Sequence, residues 1–161
     1  MSAADAPTML GQGYHWQDLA VGQRFRSFRR TVTEADLIGF VTLTGMLEPL
    51  FIDATEAGAL GPRPIPAALT HALIEGQVLG PMARGTGLAL LEQHLRPLAP
   101  VRVGDTIGAE VTIIAIRPTS RGNRAVVESA IAVINQHGER VMDYTVTRLI
   151  AGRDDREKET P

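Results

Sequence analysis

The sequence predicts an α+β fold in which an antiparallel sheet of about five strands wraps round one long helix. Three observations predict it. One strand-like stretch and two helical ones come first. Four β-patterned runs, separated only by short turns, then close the chain. At 161 residues the chain is one domain by size, long enough to bury a core but not to hold two such units.

Residues 1–12 lack a basic run ahead of an apolar one, so they read as a loose lead-in and not as a signal peptide. The domain is expected over 13–152. Tyr14 to Leu19 forms an apolar anchor before the turn Val21-Gly22-Gln23, and Gln23 to Val32 alternates as a first strand. Thr33-Glu34-Ala35-Asp36 is a capping box: the Thr hydroxyl accepts from the N–H three residues on, and Asp36 reaches back. The helix it opens carries Leu37, Phe40, Val41 and Thr44 on one face, and Gly45 ends it.

Residues 46–65 are irregular, broken by Pro49, Gly58, Gly61, Pro62 and Pro64. Pro66 suits the first turn of the long helix, where its missing N–H costs little. That helix is expected to reach Val78 or Leu79, with Pro81 and Gly85 closing it. Leu69, Ala72, Leu73, Gly76 and Gly80 make its close-packing face, and Ile74 and Val78 make the far side apolar too, so cover on all sides is expected. Gly87–Leu98, Thr106–Arg117, Arg124–Asn135 and Arg140–Ile150 are the remaining strands. The tail 153–161 is charged, has no apolar anchor and reads as disordered.

Composition excludes several classes. A net charge of −2 without a basic stripe argues against nucleic acid. The cluster Arg24, Arg26, Arg29, Arg30 reads either as a solvated strand face or as a phosphate contact. Without cysteine there is no disulfide, thiolate nucleophile or Cys-bound zinc, which fits a cytoplasmic protein. No run reaches the roughly 18 apolar residues of a membrane span. No His/Asp/Glu spacing marks a metal site, and no cofactor is implied.

Several pieces then point to one family by their order and spacing: Asp18-Leu19, Val21-Gly22-Gln23, Arg30 to Asp36, Pro49-Leu50, Asp53, Arg63-Pro64-Ile65, Gln93, Pro100-Val101 and Val103-Gly104-Asp105. From Tyr14 to Ile150 the chain resembles the MaoC-like, (R)-specific enoyl-CoA hydratases, a branch of the hotdog fold. The resemblance implies a single hotdog domain acting on an acyl-CoA or acyl-carrier-protein thioester. It implies a homodimer, or a heteromer with a second hotdog chain that carries the chemistry. It implies hydratase or dehydratase activity, with a non-catalytic acyl-thioester-binding subunit and a hotdog thioesterase as the alternatives.

The family's active-site segment, Gly/Glu-Asp-x-Asn-Pro-Leu/Ile-His-x-Asp, stands here as Gly45-Met46-Leu47-Glu48-Pro49-Leu50-Phe51-Ile52-Asp53. The catalytic Asp and His positions hold Met46 and Phe51, which carry no titratable proton and make the cavity greasier. The family's His-Gly-Met at the start of the long helix is Ala67-Ala68-Leu69, where the Ala68 N–H can still face a thioester oxygen. Ala67, Ala68, Leu69 and Asp53 are thus the expected substrate contacts, with Asp53 also suited to accept from nearby backbone N–H groups.

Four replacements for the lost acid–base pair are open. Glu48, buried against Met46 and Phe51, gains a raised pKa, or else stays a surface carboxylate. Glu92 projects into the tunnel, or pairs across strands. His71 and Glu75, four apart on the long helix, form with Thr70 a thioesterase-like set. Their register away from Leu69, Leu73 and Gly76 makes them, alternatively, a plain helix-face or dimer-contact pair.

Overall fold

The computed structural model describes residues 10–153; most of the expected lead-in and tail (1–9 and 154–161) lies outside them. The elements run β1 (Arg24–Arg26), β2 (Arg30–Thr31), α1 (Glu34–Thr44), α2 (Pro49–Ile52), a two-residue hairpin β3 (Ala57–Gly58) and β4 (Gly61–Pro62), α3 (Ala67–Ala83), then β5 (Gly87–Pro97), β6 (Thr106–Pro118), β7 (Arg124–Ile134) and β8 (Arg140–Ala151). One six-stranded antiparallel sheet has the order β1-β6-β7-β8-β5, with β2 also on β6. This is the expected α+β wrap, with one more strand.

The extra strand comes from a break in the first one. At Ser27–Arg29 the ladder is interrupted: the Ser27 hydroxyl, in place of a carbonyl, accepts the Ala109 N–H at 2.9 Å. Gly108 permits this crossing, because an added Cβ there would sit 3.1 Å from Arg29 Cγ. The arginine cluster is largely paired. Arg24 and Arg26 share Glu110, Arg30 pairs with Asp36, and Arg29 bonds the Asn135 carbonyl at 2.9 Å.

Helix α1 starts as expected. The Thr33 hydroxyl accepts the Asp36 N–H and Asp36 accepts the Thr33 N–H at 2.8 Å. Leu37 and Val41 are buried and Phe40 half-buried, but Thr44 is exposed and bonds back to the Phe40 carbonyl.

The packing face of α3 differs from the expectation. The buried residues are Leu69, Thr70, Ile74, Gln77, Val78 and Ala83, while Ala72 and Gly76 face outward. Burial selects the larger side chains: Ile74 removes more apolar surface from water than Ala72 or Gly76 can. The helix also passes Pro81 and ends at Ala83. A proline here removes one helical N–H and crowds the carbonyl four residues back, close to where the helix ends. The carbonyls beyond it gain partners instead: Gly13 N–H donates to Arg84 and Tyr14 N–H to Met82, at 2.8 and 2.9 Å. Gly13 must be glycine here, since a Cβ would lie 2.6 Å from Ala83 N.

The core joins α1 and α3 to the inner face of the sheet through Leu37, Ile74, Ile107, Val133 and Met142. Strand β5 is one edge of the sheet. Leu88, Leu90, Leu91 and Leu95 on it are each more than a third exposed. Arg153, at the start of the expected tail, is tied down: it pairs with Asp18, and its carbonyl accepts from Asn123.

Candidate functional site

The segment 45–53 is built by its turn chemistry. Gly45 leaves α1 in the left-handed region at φ 72°, and Pro49 opens the single turn α2, closed by Phe51 N–H to the Glu48 carbonyl at 2.8 Å. Met46 and Phe51 are thereby turned inward, half-buried against the main core. Phe51 walls a cavity of about 280 Å³ with Ala67, Leu98, Pro100 and Met142. Among the described residues, Thr70 is its only polar side chain, and no ionisable group lines it.

Glu48 does not enter this cavity. It occupies the position before α2 and is exposed, so the expected burial against Met46 and Phe51 is absent. α2 is one turn long, and a residue at its capping position points out to solvent. Asp53 is exposed too. Its carboxylate accepts the Thr55 hydroxyl at 2.7 Å and the Thr55 N–H at 2.8 Å, and these bonds hold its pKa below the ordinary carboxylate value. The expected backbone-acceptor role is what the geometry gives it; its carboxylate is spent on the turn.

The start of α3 faces the same cavity through Ala67. Pro66 supplies no side-chain cap, and its carbonyl takes the Leu69 and Thr70 N–H groups at 2.9 and 3.1 Å. The Ala67 and Ala68 N–H groups are left at the positive end of a 17-residue helix. Leu69 is buried in the core.

One and two turns on lie His71 and Glu75, and here the outward register expected of them fails. With Ile74 and Val78 turned into the core, this flank of α3 meets β5 and β8. The Gln93 side-chain amide contacts His71 Nε2, and the His71 ring stands edge-on to Tyr144, with centroids 5.0 Å apart at 83°. Glu75 has both oxygens occupied: Tyr144 donates to Oε1 at 2.6 Å and Arg148 donates to Oε2. The pair is largely buried, with Arg148 and Glu75 side chains 12% and 19% exposed. Burial pushes the His71 pKa down; Arg148 adds to this and Glu75 opposes it. His71 is therefore neutral near pH 7. Burial, then Glu75, drives the Tyr144 phenol far above its ordinary value, so it remains a donor.

A second cavity, of about 260 Å³, opens beyond this cluster, between Glu75, Leu79, Leu90 and Arg148. Glu92 lies elsewhere. The β5 register puts Gln93 opposite Val146 on the inner face, which turns Glu92 and His94 outward, where they bond each other at 2.9 Å. Both are well over half exposed, so the inward projection expected of Glu92 does not occur.

Tyr144 and Arg148 escaped the sequence reading, and Gln93 entered it only as a match to the family, not as a site residue. A signal existed. The inward series on β8 is Met142, Tyr144, Val146, Arg148, Ile150, and a lone arginine in an apolar stripe asks for a buried partner.

Comparison with known proteins follows the same lines. Residues 19–144 match the family model described as FAS1-like, dehydratase domain region. The 3-hydroxybutyryl-CoA dehydratase of Methylorubrum extorquens is 30% identical over 112 residues, 68% of this chain and 70% of that protein. The (R)-specific enoyl-CoA hydratase of Aeromonas caviae is 34% identical over 102 residues, 63% of this chain and 75% of that one. The crystal structure of the MaoC-like dehydratase from Rhodospirillum rubrum superposes with a TM-score of 0.79 at 28% identity, covering 88% of this chain and 99% of that one.

Proposed function

The chain belongs to the FAS1-like dehydratase-region family, the MaoC-like branch of the hotdog fold, and from that premise we propose that it hydrates an enoyl-CoA or dehydrates the matching 3-hydroxyacyl-CoA, with His71 moving the proton. Hydration puts a hydroxyl on C3 and a proton on C2 of the thioester; dehydration removes both. The reaction needs a polarised thioester carbonyl and a group that exchanges a proton. The Ala67 and Ala68 N–H groups at the start of α3 suit the carbonyl. The apolar cavity beside Phe51 suits the acyl chain.

One observation carries the assignment of the proton. His71 stands a single turn beyond Ala67 on the same helix flank, neutral by burial and held by Gln93 and Tyr144. Its Nε2 is taken up by the Gln93 amide, which leaves Nδ1 to give or accept. Glu48 and Glu92 point to solvent, and Glu75 has both oxygens engaged. That last fact also weighs against a thioesterase, which needs a free carboxylate on this helix.

The exposed leucines of β5 support a partner along that edge. A second copy is the simplest occupant; an acyl-carrier protein in place of CoA is an alternative carrier of the substrate. A second reading follows from Met46 and Phe51: the chain binds the acyl thioester and a complete hotdog partner supplies the acid and base. Crotonyl-CoA hydration, followed by loss of the enoyl-thioester absorbance, separates the two. Turnover that His71→Asn abolishes supports the first. Turnover that His71→Asn leaves unchanged removes His71 from the reaction. No turnover of any enoyl-CoA, with acyl-CoA still bound, supports the second.

A further inference from the structure

The face of the sheet turned away from α3 is a charged trough. Strand register gives it two neighbouring cross-strand rows. From β1 to β5, one reads Arg26, Glu110, Ala132, Asp143, Arg96. The next reads Arg24, Thr112, Ala130, Thr145, His94. Each row is nearly symmetric about β7, with alanine in the middle and a basic side chain at either end. Both rows line one open hollow of about 570 Å³. A second hollow, of about 370 Å³, shares Glu110 and Ile134 with it and continues past Gly108 to the turn 135–138. The groove therefore runs along β7, and much of its floor is Ala130, Ala132 and Gly108.

Charge sets what the trough can receive. Glu110 holds Arg24 and Arg26, at 2.7 and 3.2 Å, and Asp143 holds Arg140 and Arg96, at 2.6 and 3.4 Å. Two carboxylates do not neutralise four guanidiniums. The trough thus keeps an excess of positive charge on a chain whose net charge is −2. The next acids along this face, Glu128 and Glu92, have their own partners in Arg117 and His94. All four arginines are more than half exposed, and each guanidinium has more N–H donors than its carboxylate takes up. They stand on two rims and do not converge: β1 and β5 are four strand spacings apart, about 19 Å. An α-helix, about 10–12 Å across with its side chains, fits between such rims and comes down on small residues. A lone phosphate touches one rim only. We infer that the trough docks an α-helix of another protein, with small side chains toward β7 and Asp or Glu along both flanks. The Phe51 cavity lies on the other face of the sheet, so this docking stands apart from the acyl-thioester reading above.

The probe is a fluorescein-labelled, alanine-based helical peptide of about 18 residues, with glutamates on both sides of an alanine stripe. Its control has lysine in place of each glutamate. Fluorescence anisotropy with the full chain is expected to show saturable binding of the acidic peptide, weakening as salt rises from about 50 to 200 mM, and no binding of the control. Arg24→Gln combined with Arg96→Gln removes one cation from each rim and leaves each carboxylate its second arginine. It is expected to lower the affinity about tenfold, the loss of two exposed ion pairs. Ala132→Leu keeps every charge and raises the floor, and a loss of about tenfold or more is expected from it as well. Circular dichroism checks that the variants fold. No binding of the acidic peptide, or equal binding of both peptides, overturns the inference. Binding that either variant leaves unchanged also overturns it, because the helix is then not seated in the trough. Tighter binding of inorganic pyrophosphate than of the acidic peptide gives the site to a small anion and overturns it too. Self-association in analytical ultracentrifugation that Ala132→Leu abolishes gives the trough to a second copy of this chain, and the foreign helix falls.

Discussion

The segment 45–53, which precedes α3, and the seam between α3, β5 and β8 differ in almost every physical respect. The segment keeps its turns, with Gly45 in the left-handed region and Pro49 opening α2, yet its inward side chains are Met46 and Phe51 and its cavity holds no ionisable group. The seam shows in sequence only as the His71–Glu75 spacing, yet it holds a histidine, a phenol, an amide and a carboxylate–guanidinium pair in mutual contact. Backbone geometry and proton chemistry are thus separable properties of a site. A loop can hold its shape with no titratable group turned inward.

The largest effect tests which region moves the proton. Replacing His71 by Asn or Ala is expected to lower crotonyl-CoA hydration by the ~10²–10⁴-fold that a general acid–base group contributes. The converse variant, Met46→Asp with Phe51→His, puts a titratable pair into the segment. If the segment still holds its shape, the double variant raises kcat by a comparable factor in an enoyl-CoA absorbance assay. Full activity of His71→Ala would break the contrast outright.

Next in size is the ion pair of the seam. Glu75→Ala leaves the Arg148 charge and the Tyr144 hydroxyl without their partner in a largely buried place. A cost of about 3 kcal/mol is expected, the low end for breaking a buried pair from one side. Urea unfolding monitored by fluorescence of Trp16 measures it. Phe51→Ala, in the segment, is expected to cost on the order of 2 kcal/mol, less than a fully buried Phe, because Phe51 is only half-buried.

The fold was largely legible because its signals are local. The Thr33 capping box, the period-two runs of β6 to β8 and the Gly45 stop each depend on a few consecutive residues. The seam was not, because its meaning depends on how α3 is rotated. The small residues Ala72 and Gly76 invited a close-packing face, and only burial of Ile74 and Val78 turns His71 and Glu75 toward the sheet. The same rotation explains Glu92: strand register, set by the bulge between Leu90 and Glu92, decides that Gln93 and not Glu92 looks inward. Glu48 failed for a different reason, since one turn of helix is too short to bury its own capping residue.

A smaller effect is the pH dependence the seam imposes on stability. The His71 pKa is lowered from 6.5 on folding, first by burial. Below pH 6.5 the unfolded chain therefore binds a proton that the folded chain resists, and stability falls as pH drops. The contribution is fully present above pH 6.5 and is lost toward the depressed folded value, then levels off. His71→Asn should flatten this part of the curve in melting experiments between pH 7 and 5. Between pH 7 and 5 the segment adds no slope of its own, since Asp53, held below the ordinary carboxylate value by Thr55, titrates under this window, so Phe51→Ala should shift the curve vertically there and leave its shape alone.

The smallest effect isolates the segment's backbone from its side chains. Gly45 has φ 72°, and an added Cβ there meets nothing within 4 Å. Gly45→Ala therefore changes only the conformational preference of one residue, at a cost of about 1 kcal/mol for a side chain in the left-handed region. Because the strain stays in the turn, the rotation of α3 and the His71, Gln93 and Tyr144 contacts are left as they are. A drop of a few degrees in Tm with hydration kinetics unchanged would place the chemistry in the seam. A fall in kcat larger than the loss of folded protein would mean that the turn still positions a reacting group, and the separation of shape from proton transfer would fail at that point.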